Sequence, residues 1–392
     1  MNSLDDRPCQ PGTYLIGAGV VGRAILQAHV SAGLSVCIAD HDADALQAAV
    51  DGLHLPKGWE SKRGNLAAGL EGIWLRRLDE QETYEFPLVI ESIAERLDLK
   101  QQFFVFAEDV FGPEAVLCSN TSTLRISAIA SALKDPTRLS GMHFFMPVSQ
   151  RDAVEVVRSE QASESTIQQT ANHVRRILKS PLVVGDGPGF IVNRLLSPYL
   201  NQAMLMLGRG IEADQIERAS LAYGMPLSPL ELIDWIGTRT MFDAGRVYWQ
   251  SFPTRLDPSP ILPALLKRKR FGRAGGGGFF DYTNGERSAD LSPIAIELVA
   301  KYQGETIVCS DADVMHLLSI PMLIEAGLAL RDGVTESRSD FDLAMRGGLG
   351  YQPASWLAFF GELGTPEINA AIERWRSTFK SMNATAALLD LG

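Results

Sequence analysis

With 392 residues the chain exceeds what a single hydrophobic core usually fills, since cores stop growing at about 250–300 residues, so two or three domains are expected. Hydrophobic residues make up 46% and charged residues 21%, the balance of an ordinary globular protein, while a net charge of −11 argues against nucleic acid or an anionic membrane as the main partner. The four cysteines (Cys9, Cys37, Cys118, Cys309) form no C-x-x-C pair, which suggests neither zinc nor a disulfide framework and fits a reduced, cytoplasmic protein.

The first residues, MNSLDDRPCQPG, are acidic and lack an apolar run, and no later stretch of about 18 uncharged apolar residues is present, so neither a targeting segment nor a membrane span is expected. An apolar run at 13–16 ends at GAGVVG, where VVGRAILQAHVSAG takes up helical spacing and closes at Gly33. A second apolar run, LSVCIAD, follows at 34–40 and completes a βαβ unit. Further apolar runs at 87–90, 115–118, 138–145 and 153–157, with helix-like segments between the earlier ones, predict a mainly parallel sheet covered on both faces. The alternation stops near SPLVVGDGPGF.

From Asn193 onward the pattern is helical periodicity broken by Gly and Pro, and it repeats itself. LLSPYLNQAMLMLGRGI at 195–211 resembles LLSIPMLIEAGLALRDGV at 317–334, with Pro198 matching Pro321 and Gly210 matching Gly333. The polar TNGERSADLSP at 283–293 reads as the linker between copies. The expected fold is thus an α/β Rossmann-type dinucleotide-binding domain (1–187) followed by an all-α region of two repeated helical domains, 188–288 and 289–392.

GAGVVG is G-x-G-x-x-G: Gly17 permits a tight turn, Gly19 lets a pyrophosphate approach the backbone, and Gly22 lets helix and strand pack closely, with Val20 and Val21 opening the helix. Asp40, at the end of the next strand, would accept hydrogen bonds from ribose hydroxyls, and no Arg follows to hold a 2′-phosphate, so NAD is expected rather than NADP. His143, in HFFMPV, has two readings: a core residue beside Phe144 and Phe145, or a proton-transfer group, imidazole being the side chain type suited to that work near neutral pH. Glu155 in the apolar AVEVV needs a partner if buried, and imidazole would serve. Ser119, Asn120, Thr121 and Ser122 stand just past a strand's carboxyl end, where open α/β sheets bind ligands, or else form a cap and turn. Asn193 either faces a cleft or caps a helix.

In this order the motifs resemble the L-3-hydroxyacyl-CoA dehydrogenase family across nearly the whole chain. The matching stretches are GAGVVG, Asp40, VIESIAERLDLK (89–100), SNTSTL (119–124), HFFMPV (143–148), VEVV (154–157), GPGFIVNR (187–194) and GGGGFFDY (275–282). The duplicated helical region resembles the dehydrogenase half of multifunctional β-oxidation enzymes, without their crotonase-like half. The resemblance implies that His143 exchanges the 3-hydroxyl proton, that Glu155 stabilises the imidazolium, and that Ser122 and Asn193 hydrogen-bond the reacting oxygen. It further implies that Glu95, Lys100 and Asn120 lie around the nicotinamide ribose and carboxamide. The expected substrate is a 3-hydroxyacyl thioester of coenzyme A; the alternatives are an acyl-carrier-protein thioester, a free 3-hydroxy acid, and an NAD-binding protein that has lost catalysis.

Two positions depart from the family pattern, the first of them bearing on substrate. Met146 stands where the family usually has Asn, and Ala274 where Lys is common. The basic KRKRFGR at 267–273 could dock CoA phosphates or an acidic carrier, or be a solvated helix end. In the second copy His316 falls at the position of Asn193, so that copy is expected to lack a site, and pairing of the copies within one chain implies a monomer or weak homodimer.

Overall fold

The structure is a computed structural model that describes residues 12–34, 36–54, 73–76 and 87–383, the stretch 73–76 by its backbone alone. Cys9 and the acidic first residues lie outside the described residues. The chain forms two compact units, Met1–Asp186 and Gly187–Gly392.

In the first unit, β1 (Thr13–Ile16), α1 (Val20–Ser31), β2 (Val36–Ala39), α2 (Ala43–Asp51), β3 (Ile73–Arg76) and β4 (Leu88–Glu91) come first. Then follow α3 (Leu97–Val110), β5 (Val116–Ser119), α4 (Ile126–Ala130), β6 (Leu139–Phe144), β7 (Ala153–Arg158), α5 (Glu164–Arg176) and β8 (Ser180–Gly185). The strands make one sheet in the order β3-β2-β1-β4-β5-β6-β7-β8. Every residue of β1, β2, β4 and β5 is buried, which explains why these strands read as continuous apolar runs rather than as alternation. Leu15, Ile38, Ile90, Val154 and Val156, together with Ile25 of α1 and Val174 of α5, belong to one core.

Strand order reverses at β1, which lies between β2 and β4, so the carboxyl ends of β1 and β4 border the crevice where such sheets take ligands. All pairings are parallel except β6 with β7. Residues 145–152 are too few for the crossover of about a dozen residues that a parallel neighbour needs, so the chain turns back on itself. That reversal sets His143 directly opposite Glu155.

The second unit holds α6 (Val192–Leu207), α7 (Ala213–Tyr223), α8 (Pro229–Ile236), α9 (Thr238–Ser251) and α10 (Ile261–Lys267). After β9 (Phe280–Thr283) and β10 (Glu286–Leu291) come α11 (Pro293–Lys301), α12 (Asp311–Arg331), α13 (Ser339–Leu343), α14 (Trp356–Leu363) and α15 (Thr365–Trp375). The expectation of a linker at 283–293 is corrected here, because the segment forms most of an antiparallel hairpin. Asn284 and Gly285 both take positive φ, 53° and 83°, as a two-residue type I′ turn requires, and the Asn-Gly pair was a hairpin signal within an otherwise polar stretch.

The central helix α12 is apolar enough over its 21 residues to pass for a membrane span by length and composition, yet its most apolar window is 89% buried inside the protein. A helix apolar on all sides is what a core position demands. α12 packs on α6, the helix it resembles in sequence, and both carry an internal proline, Pro198 and Pro321. Arg194 of α6, fully buried, meets Glu325 Oε1 of α12 at 2.6 Å from Nε and Asp332 at 2.8 Å, while Arg255 and the Tyr248 hydroxyl complete the cluster around Glu325.

Candidate active site

The glycine loop is built for close approach at two points. A Cβ on Gly17 would stand 2.3 Å from the Ser92 carbonyl oxygen, and one on Gly22 would stand 1.8 Å from that of Gly17. Gly19 is different: it is exposed, and a Cβ there would meet nothing within 4 Å. It caps α1 without a side-chain partner, so the first N–H groups of that helix, at Val20, Val21 and beyond, are available to an anion at the positive end of the helix dipole. Asp40 is 8% exposed and accepts from Ala18 N at 2.7 Å and Asp42 N at 2.9 Å, so the carboxylate also holds the loop. These residues fit a dinucleotide pyrophosphate and its adenosine ribose.

Past β4, a carboxylate that sequence reasoning had not singled out organises the centre. Glu91 is fully buried; its Oε1 takes Lys100 Nζ at 2.5 Å and Ile93 N at 2.7 Å, and its Oε2 takes the Ser119 hydroxyl at 2.7 Å. The signal was available: a Glu ends the buried run LVIE, as Glu155 interrupts AVEVV. Lys100, 1% exposed, also lies 3.4 Å from Glu95 Oε2. Glu95 Oε1 accepts from the Thr121 hydroxyl at 2.7 Å and from Ser122 N, Thr123 N and the Thr123 hydroxyl, each at 2.9 Å. Burial pushes the Glu95 carboxyl up, but Lys100 and these loop donors together hold it below the usual carboxylate range. Asn120 accepts from Phe144 N at 2.9 Å and donates to the Ser92 hydroxyl at 3.2 Å, tying β6 to the loop after β4.

His143 is 4% exposed and Glu155 fully buried. Directly opposed residues of an antiparallel pair project to the same face, and here Nδ1 of His143 lies 2.6 Å from Glu155 Oε2. Its Nε2 lies 3.0 Å from the Ser122 hydroxyl, and the ring packs edge-on to Phe145 at 4.8 Å. With Nδ1–H donated to the carboxylate, the neutral ring presents Nε2 as a base. A purely structural core histidine accounts for the Phe145 contact and leaves this polar line unexplained. The line runs on from Ser122 to Glu95 and Lys100. Met146 follows β6 and is 44% exposed.

Asn193 belongs to the second unit, where it is the second residue of α6. The cap reading does not hold: Ile191 is the N-cap, without a side-chain cap bond, and Asn193 is already helical. In the basic stretch 267–273, Arg268 pairs with Glu297, and Arg270 donates to the carbonyls of Gly278 and Phe280 at 3.0 and 2.8 Å. Arg273 stacks over Trp235 at 3.7 Å. Asp234 accepts from Phe279 N at 2.8 Å and Phe280 N at 2.9 Å, and burial pushes its carboxyl up to about 6. Arg270 therefore holds the glycine-rich turn, Arg273 lies over Trp235, and Arg268 is engaged by Glu297 of α11. Among the described residues no group of three or more His, Cys, Asp or Glu is arranged to hold a metal.

Comparison with known proteins adds a family. Residues 13–187 match the family described as 3-hydroxyacyl-CoA dehydrogenase, NAD binding domain, and residues 189–282 match 3-hydroxyacyl-CoA dehydrogenase, C-terminal domain. The fatty acid oxidation complex subunit alpha of Pseudomonas savastanoi is 29% identical over 388 residues, covering 96% of this chain and 54% of that protein. The chain thus spans about half the length of the curated relatives it matches. The crystal structure of 3-hydroxybutyryl-CoA dehydrogenase from Escherichia coli K12 is similar over 97% of this chain and 98% of its own, at 26% identity and a TM-score of 0.79. That of (S)-3-hydroxybutyryl-CoA dehydrogenase from Ralstonia eutropha covers 70% of this chain and all of its own, at 29% identity and a TM-score of 0.60.

Proposed function

Because this chain belongs to the 3-hydroxyacyl-CoA dehydrogenase family, with an NAD-binding first domain, we propose that it interconverts a 3-hydroxyacyl thioester, carried by coenzyme A, and the 3-oxoacyl thioester. Bound NAD supplies the hydride acceptor, and as NADH the donor, at C3 of the substrate. In the oxidation His143 Nε2 takes the 3-hydroxyl proton as C3 gives up its hydride and the C–O bond becomes a carbonyl; in the reduction the imidazolium returns that proton. Glu155 fixes the ring's tautomer and offsets the positive charge that forms on it. The Ser122 hydroxyl and Asn193 hydrogen-bond the reacting oxygen, where preorganised donors act on changing charge.

Gly19, Val20 and Val21 receive the pyrophosphate on a loop whose close packing Gly17 and Gly22 permit, and Asp40 receives the adenosine ribose. Glu95 and Asn120 border the nicotinamide end, with Lys100 acting through Glu91 and Glu95. The observation that carries this reading is His143 held between Glu155 at 2.6 Å and Ser122 at 3.0 Å. The same polar line counts against a protein that keeps NAD but has lost catalysis. The arginine bonds within 267–273 weaken the case for that stretch as a dock, whether for coenzyme A phosphates or for an acidic carrier.

We also propose that the two helical copies, 188–288 and 289–392, pair within the chain through α6 and α12, which favours a monomer or weak homodimer, and that the second copy, with His316 in place of Asn193, has no site. The test is loss of NADH absorbance on addition of acetoacetyl-CoA. Turnover supports the reading. Its absence with both acetoacetyl-CoA and 3-oxodecanoyl-CoA, with NADH bound, refutes the coenzyme A thioester as substrate and makes Met146→Asn the first change to try.

A further inference from the structure

The register that matches Pro198 with Pro321 and Gly210 with Gly333 sets Gln202 of α6 against Glu325 of α12. Each lies four residues past its proline and therefore on the proline's face of its helix. Both side chains are buried, at 0% and 2% exposed, but they are satisfied unequally. Glu325 Oε1 accepts from Arg194 at 2.6 Å and Arg255 at 2.8 Å, and its Oε2 accepts from the Tyr248 hydroxyl at 2.6 Å. Gln202 accepts the Ser381 hydroxyl on Oε1 at 2.6 Å, while its Nε2 finds no acceptor among the described residues. A buried amide nitrogen left in that way is costly unless something else accepts from it.

Both prolines border one cavity of about 240 Å³ inside the second unit, and Ser381 and Glu325 stand on its wall. Its apolar part is Pro198, Pro321, Ile324 and Leu328, all buried. Its cationic part comes from three separate segments: Arg255 in the loop after α9, Arg331 at the end of α12, and Lys380. Arg331 and Lys380 are exposed, so the cavity is apolar within and cationic at its mouth. Arg255 spends two of the five N–H donors of a guanidinium, on Glu325 and Asp332, and Lys380 one of the three of an ammonium, on Asp257. The remaining donors serve a further acceptor. Lys380 adjoins Ser381, which holds Gln202, so a cation and the open amide lie on the same side of the cavity.

We infer that this cavity is a second ligand site, separate from the proposed dehydrogenase chemistry, and that it takes a small carboxylic acid with a short hydrocarbon body. The carboxylate lies beside Lys380 and Arg255, on the side of the Gln202 amide, and the body lies against Pro198, Pro321, Ile324 and Leu328. Drug-sized ligands occupy about 300–1,000 Å³, so the occupant is smaller than these. An apolar body distinguishes it from a bare inorganic anion, and Glu325 on the wall disfavours a second negative charge.

The experiment titrates hexanoate against the whole chain by saturation-transfer NMR, with NADH present to fill the dinucleotide site. Hexylamine, with the same body and the opposite charge, and inorganic phosphate, with charge and no body, are titrated in parallel. Hexanoate should bind with a Kd of about 1 mM or below, the range open to so small a ligand, and the other two at least about tenfold more weakly. Lys380→Gln should weaken hexanoate by about fivefold, as loss of a charge-assisted bond near the surface predicts. No binding of hexanoate, equal binding of hexylamine or of phosphate, or a hexanoate Kd unchanged by Lys380→Gln overturns the inference. Should Lys380→Gln fold poorly, Thr254→Trp, which crowds the lining from an exposed position, must weaken hexanoate instead, and an unchanged Kd again overturns the site. None of these readouts depends on turnover, so the proposed function stands or falls apart from them.

Discussion

His143 and Glu155 face each other across the single antiparallel pairing of the eight-stranded sheet, with Nδ1 2.6 Å from Oε2. The backbone register alone puts the two side chains on one face, so the pair is held by the sheet rather than by a loop. Glu155→Gln preserves shape but removes the charge that stabilises an imidazolium. A kcat loss of about 10²–10⁴-fold with little change in NADH affinity is expected, by analogy with triad carboxylates. Steady-state rates alongside NADH titration check it, and a loss confined to KM would count against the role.

The network behind Ser122 should be equally sensitive, for a different reason. Lys100→Met leaves Glu91 fully buried without its cation, which typically costs about 3–5 kcal/mol of stability. Glu95→Gln keeps the fold but weakens the oxygen that collects four donors from Thr121, Ser122 and Thr123. It should therefore lower kcat more than it lowers the urea midpoint. Equal stability for wild type and Lys100→Met would contradict the assignment of that network.

Two glycines in one motif should separate binding from folding. Gly19→Ala adds a Cβ that meets no protein atom, so thermal stability should hold while NADH binds more weakly. Gly22→Ala drives a Cβ to 1.8 Å from the Gly17 carbonyl oxygen, so destabilisation should come first. Thermal melts with and without NADH distinguish the two, and the reverse ranking would exclude the pyrophosphate cradle.

Acid should weaken the first unit through a buried histidine pair. His29 Nδ1 donates to the Ile25 carbonyl at 2.8 Å, so its Nε2 must accept from His173 Nε2–H, also at 2.8 Å, and both rings are neutral. Burial pushes His29 down to about 4 and His173 well below its ordinary value. Because the folded pKa values are depressed, the unfolded chain binds protons first as pH falls. Stability is complete above about 6.5 and declines toward pH 4, by roughly 3 kcal/mol from His29 alone. Urea titrations across that window should show the decline, and His29→Leu with His173→Leu should flatten it; an unaltered slope would refute the assignment.

Much of the first unit was legible because β1, β2, β4 and β5 are short, wholly buried runs bounded by turns, and the glycine spacing identified the cofactor. Strand direction was not: β7 reads like any other apolar run, and only the short connection at 145–152 betrays the reversal that pairs His143 with Glu155. Glu91 was hidden for the same reason, as one carboxylate at the end of an apolar run whose three donors come from Ile93, Lys100 and Ser119. The hairpin at 280–291 escaped because its residues are polar and partly exposed, leaving Asn284-Gly285 as its local mark.

The most direct test of the account is His143→Ala, assayed for acetoacetyl-CoA-dependent NADH oxidation and, separately, for NADH affinity. If His143 is the proton-transfer group, turnover falls by about 10²-fold or more while NADH binds as before. Turnover that survives the substitution would return His143 to the core and leave the site without its acid and base.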